Sequence, residues 1–73
     1  MSVLVIGQNR WGHADNLATA KRRFSQHGGK LSRSYTVVVF PAELAFKGVD
    51  EVGRVHWEGD GEPVITEVER NKK

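Results

Sequence analysis

Seventy-three residues, 38% hydrophobic and 27% charged, suffice for one small domain that buries about 60% of the surface its unfolded chain exposes. The longest unbroken apolar run, Val3-Leu4-Val5-Ile6, falls far short of the roughly 20 residues of a transmembrane helix. The lack of cysteine excludes a disulfide framework, a thiol nucleophile and a cysteine zinc site.

The net charge of +2 is small, but its distribution is uneven. Through Ser34 there are six bases and one acid, a balance of +5; from Tyr35 onward there are five bases and eight acids, a balance of −3. A two-signed surface is expected, with a basic patch open to a phosphate backbone or an acidic protein. No basic segment precedes a longer apolar stretch and no small-residue cleavage site follows one, so the expected location is the cytoplasm.

In chain order, Ser2 to Gly7 is apolar and β-branched and too short for a typical helix, which predicts a strand. From Asp15 or Asn16, either of which can cap a helix, Leu17, Ala20 and Phe24 recur at spacings of three and four. This predicts an amphipathic helix that stops at Gly28-Gly29. Its apolar stripe is Leu17, Ala20 and Phe24; Thr19, Arg22, Arg23 and Gln26 lie opposite, with Lys21 flanking, so the outer face is basic.

Tyr35 to Phe40 is almost wholly β-branched or aromatic and predicts a central strand ended by Pro41. Glu43-Leu44-Ala45-Phe46 and Arg54-Val55-His56-Trp57-Glu58, separated by a turn-rich stretch, read as the arms of a hairpin. Val64 to Glu69 predicts a final strand, and residues 70–73 a frayed tail.

The expected fold is therefore a single α+β domain over residues 1–73, of order β-α-β-β-β or β-α-β-β-β-β. One amphipathic helix would pack on one face of a mixed sheet, and a single helical crossover would make Ser2–Gly7 and Tyr35–Phe40 parallel. Tyr35, Val37 and Val39 alternate with Thr36, Val38 and Phe40, so both faces of this strand are apolar. One helix covers one face; the other needs either the hairpin folding back or another chain.

No recognisable motif carries acid–base or nucleophilic chemistry. His13, His27 and His56 lie 14 and 29 residues apart, without the close spacing of zinc ligands, and no serine sits in a Gly-x-Ser-x-Gly elbow. Gly7 to Gly12 lacks the Gly-Lys-Ser/Thr of a phosphate loop and the glycine spacing of a dinucleotide fingerprint. It reads instead as a tight strand-to-helix connection, with Trp11 as a lid over the core. No catalytic, metal-binding or cofactor-binding residue is assigned, and no small-molecule substrate or membrane partner is expected.

Two binding surfaces stand out. Arg10, Lys21, Arg22, Arg23, Lys30 and Arg33, with Trp11 as a stacking ring, could track a nucleic-acid backbone or an acidic partner. Tyr35, Val37, Val39 and Trp57 could form a protein interface on the sheet.

The short initial strand, Trp11-Gly12, the helix opening Asp15-x-Leu17-x-x-Ala20, the Gly28-Gly29 stop and the β-rich second half resemble small accessory proteins encoded in actinobacteriophage genomes. The resemblance spans most of the chain on degenerate positions. It implies expression inside a bacterial host and a non-catalytic role in binding a host protein or nucleic acid, and it transfers no catalytic residue. The leading expectation is a non-enzymatic binding module that engages a host protein or a second copy of itself through the sheet face opposite the helix, or through a sheet edge. The alternative is a nucleic-acid binder using the outer helix face.

Overall fold

A computed structural model describes residues 1–69; the expected frayed tail, residues 70–73, lies outside them. The elements are β1 (Ser2–Gly7), β2 (Arg10–Ala14), α1 (Leu17–Gln26), β3 (Tyr35–Phe40), β4 (Leu44–Val49), β5 (Val55–Gly59) and β6 (Val64–Val68). They form an α+β structure of two antiparallel sheets, one ordered β2-β1-β3-β6 and the other the hairpin β4-β5. The expected order of elements holds, with one further strand, β2, before the helix.

That strand corrects the expected mixed sheet. The segment read as a strand-to-helix connection is a hairpin, with Gly7 opposite Arg10 and Val5 opposite Gly12. Its two turn residues, Gln8 and Asn9, have φ of 53° and 61°, the paired left-handed conformation of a type I′ turn. This reversal sends the helix off from the other end of the sheet. β3 therefore runs antiparallel to β1, with Ser2 opposite Phe40 and Ile6 opposite Thr36.

The helix is built as its sequence directs. Asn16 caps it by accepting a 2.8 Å hydrogen bond from the Thr19 amide on Oδ1, satisfying one of the donors a helix start leaves unpaired. At the far end the Gly28 amide donates to the Ser25 carbonyl and the Gly29 amide to the Phe24 carbonyl. With Gly28 at φ 102°, this is a Schellman stop, which favours glycine because the left-handed residue must avoid a Cβ clash. Of the predicted stripe, Ala20 and Phe24 are fully buried and Leu17 is 41% exposed. The helix rests on β2 and β1 through Ala20 and Phe24, and its first residue lies outside that contact.

Each face of the main sheet carries its own core. On the helix side Val3, Val5, Ala14, Ala20, Phe24 and Tyr35 are buried together. On the other side Leu4, Val38 and Phe40 pack with Leu44 of the hairpin, flanked by Ile6, Trp11, Phe46, Val55 and Trp57. A bulge between Phe46 and Gly48 interrupts the two-residue alternation of β4, and Phe46 remains opposite Trp57. The hairpin folding back thus covers the second face over β1 and β3, leaving Ile65 of β6 exposed.

Candidate functional site

The two predicted binding surfaces have different fates. On the sheet, Tyr35 is buried in the helix-side core. Trp57 packs at 4.7 Å from Phe40 and 5.8 Å from Phe46, measured between ring centroids. Both rings are committed to intramolecular packing, and the face opposite the helix is covered over β1 and β3. Val37 and Val39 are half-buried, because α1 lies over β2 and β1 and leaves the β3 half of its face less covered.

The basic set is dispersed. Arg23 turns its guanidinium onto the His13 carbonyl at 2.8 Å, and Arg10 bonds the Asn9 carbonyl at 3.3 Å. Arg22 and Lys21 remain on the helix, while Lys30 and Arg33 sit in the loop beyond it. Trp11 lies in the aromatic layer under the hairpin, 4.9 Å from Phe46, so the expected stacking ring is not on the outer helix face. Arg23 therefore has a structural task that its place on the helix wheel does not reveal.

The histidines occupy three separate settings. His13 stacks on Phe40 at 5.7 Å, His27 meets the edge of Trp11 at 6.3 Å, and His56 Nε2 lies 2.9 Å from Asp50 Oδ2. Among the described residues, no three His, Asp or Glu side chains gather as a metal cluster.

Two polar side chains organise turns. Gln8 reaches across to the loop after the helix: its Nε2 donates to the Lys30 and Ser34 carbonyls at 2.9 and 3.1 Å, and its Oε1 accepts from the Lys30 amide at 2.9 Å. Gln8→Ala is expected to cost about 1 kcal/mol, because these partners are exposed enough for water to replace the lost bonds. Amide exchange should accelerate at Lys30. Unchanged exchange there would show that the loop is held by other means.

Asp50 organises the hairpin tip, accepting from the Val52 and Arg54 amides at 3.0 and 2.9 Å as well as contacting His56. The Arg54 amide and then His56 hold its carboxyl below the usual carboxylate range, with desolvation opposing them and the Val52 amide adding to them. A carboxyl whose folded pKa is depressed adds stability that is present above its unfolded pKa, near 3.9, and is lost as pH falls through the folded value. Acidification is thus expected to release the Val52 and Arg54 amides before the sheet unfolds, as amide exchange along an acid titration will show; retention of their protection until global unfolding would contradict it.

A cleft of about 440 Å³ separates the Gln8-Asn9 turn from the hairpin tip, walled in part by Arg10, Trp11, Asp50 and Glu51. It brings both signs of charge beside an aromatic ring, without a constellation that resembles a nucleophile and its base.

The sheet's two edges are unequal. At β2, the other edge strand, the helix backbone packs on Gly12 from the face of the sheet, and at the edge Arg23 occupies the His13 carbonyl. At β6, Val64 to Val68 pair with Val39 to Tyr35, and among the described residues β3 is the only ladder neighbour. Val64 and Ile65 are 64% and 61% exposed. The strand contains no Lys, Pro or Gly, but it carries the exposed charge of Glu67 and follows directly on Pro63, devices with which natural proteins blunt an edge. Its identity as a strand is readable in its residues, but its position at the sheet margin is not.

The fold and this margin define a small α+β protein whose β6 edge, among the described residues, has no further strand beside it. Neither the family models, nor the curated proteins, nor the solved structures compared with the chain match it. No helix among the described residues is long and apolar enough to cross a membrane.

Proposed function

We propose that this protein is a non-enzymatic binding module that engages another polypeptide by adding it to the β6 edge, inside the cytoplasm of a bacterial host as the resemblance to phage accessory proteins implies. The observation that carries the reading is the exposed β6, which among the described residues pairs on one side only. An edge strand offers unpaired backbone N–H and C=O groups for main-chain affinity, and alternate side chains supply specificity. The nucleic-acid alternative has less support, since Arg10 and Arg23 are engaged with backbone carbonyls and Trp11 lies under the hairpin.

Backbone amide spectra of the isotope-labelled protein test the reading in bacterial lysate, with duplex DNA, and at rising protein concentration. Changes centred on Val64–Val68 in lysate or on concentration are expected. Salt-sensitive changes at Lys21, Arg22, Lys30 and Arg33 on adding DNA, with β6 silent throughout, would replace it with the nucleic-acid reading.

A further inference from the structure

We infer that the helix-side face of β3 and β6 receives an amphipathic helix of another protein, laid beside α1 with a carboxylate-bearing flank turned toward Lys21. This concerns the face of the sheet, whereas the edge-binding reading concerns its margin, and either can stand without the other.

Burial across the sheet marks the place. Two rows of paired residues cross it on the helix side. In the first, Ala14, Val3, Val39 and Val64 lie side by side on β2, β1, β3 and β6. Ala14 and Val3 are 6% and 7% exposed, Val39 is half-buried and Val64 is 64% exposed. In the second row Gly12 and Val5 are buried, Val37 is half-buried and Thr66 is exposed. Cover falls away toward β6 in both rows, because α1 rests on β2 and β1.

The less covered half has the width of a helix. Neighbouring strands lie roughly 4.8 Å apart, so the strip over β3 and β6 is displaced by about 10 Å from the strip under α1. Packed helices keep their axes about 8–10 Å apart. A helix on this strip would therefore bury the valines beneath it and touch the flank of α1 beside it.

That flank supplies the charge. Arg23 reaches the His13 carbonyl of β2, so its side of α1 is turned toward the β2 edge. Lys21 stands two residues earlier, about 200° round the helix, and is half-buried. Leu17 lies one turn before Lys21 on the same flank and is 41% exposed. The wall on the β3 side thus carries one apolar group and one cation, and among the described residues no carboxylate pairs with Lys21. A half-buried ammonium beside an apolar floor favours a facing carboxylate. The floor calls for an apolar stripe at helical spacing, and the wall for acidic residues along one side of it.

The test uses two stapled helical peptides with the same leucine stripe, one flanked by glutamates and the other by lysines. Titrated into isotope-labelled protein, the glutamate-flanked helix should shift the methyl signals of Leu17, Val37, Val39 and Val64. It should bind roughly fivefold or more tightly than the lysine-flanked helix. Lys21→Glu should reverse that order, and Lys21→Gln should remove the preference while both helices still bind. Spectra of the free variants report that each is folded.

Binding of neither helix overturns the inference, as does a flank preference unchanged in Lys21→Glu. Shifts confined to the β6 amides, with Leu17 and Val37 silent, would also overturn it and leave the edge-binding reading standing. Charge-dependent shifts on the face, with the β6 amides silent in lysate and on concentration, would uphold it and remove the edge-binding reading.

Discussion

Replacing Phe24 with alanine is expected to destabilise the protein by roughly 3–5 kcal/mol, the usual cost of truncating a fully buried aromatic ring. The ring is completely enclosed, 5.9 Å from Tyr35 between centroids, and closely approached by the backbone at Gly29. It is the largest of the fully buried side chains and joins the helix to β1, β3 and the loop after the helix. Small domains have total stabilities near the lower end of about 5–15 kcal/mol, so the variant should unfold at much lower denaturant concentration. A midpoint shift equivalent to less than about 1 kcal/mol would mean that the helix-side core is not a principal source of stability.

Gly12→Ala is expected to be comparably damaging although it adds a single methyl group. A Cβ at this position would lie 2.6 Å from the Ala20 carbonyl oxygen and 2.8 Å from the Arg23 carbonyl carbon, and would also strike the Phe24 amide nitrogen. All three are backbone atoms of α1, so rotation of a side chain cannot relieve the clash. The helix must lift off β2, drawing Ala20 and Phe24 out of contact and loosening the Arg23 bond to His13. Overpacking commonly costs about 1–3 kcal/mol, and displacement of a whole helix places this variant at or above the top of that range. Denaturant unfolding should show the loss, and the Arg23 side-chain signals should lose the signature of their hydrogen bond. A variant of parental stability would show that the helix does not approach β2 so closely.

Local chemistry was sufficient to locate most elements. Asn16, the Ala20–Phe24 spacing and Gly28-Gly29 define the helix through bonds and steric preferences that act within a few residues. The β-branched run at Tyr35–Phe40 and the alternation near Trp57 likewise mark strands where they occur. The second strand was not legible, because Arg10-Trp11-Gly12-His13-Ala14 has little apolar alternation and its turn uses Gln8-Asn9 in place of the glycine that usually announces such a hairpin. In the fold Gly12 is a flat contact for a helix backbone.

The candidate site depended still more on tertiary structure. Two-sided apolarity at Tyr35–Phe40 demanded a second cover without specifying it, since side-chain periodicity reports how many faces are buried and not which segment buries them. The hairpin supplies that cover, bringing Trp57 against Phe40 and Phe46. Basic residues were readable as a face of the helix wheel, yet only folding turned Arg23 toward His13. Strand order is set by non-local pairing, so Val64–Val68 could be recognised as a strand from its own residues, while its place at the open margin was decided by the assembly of β2, β1 and β3.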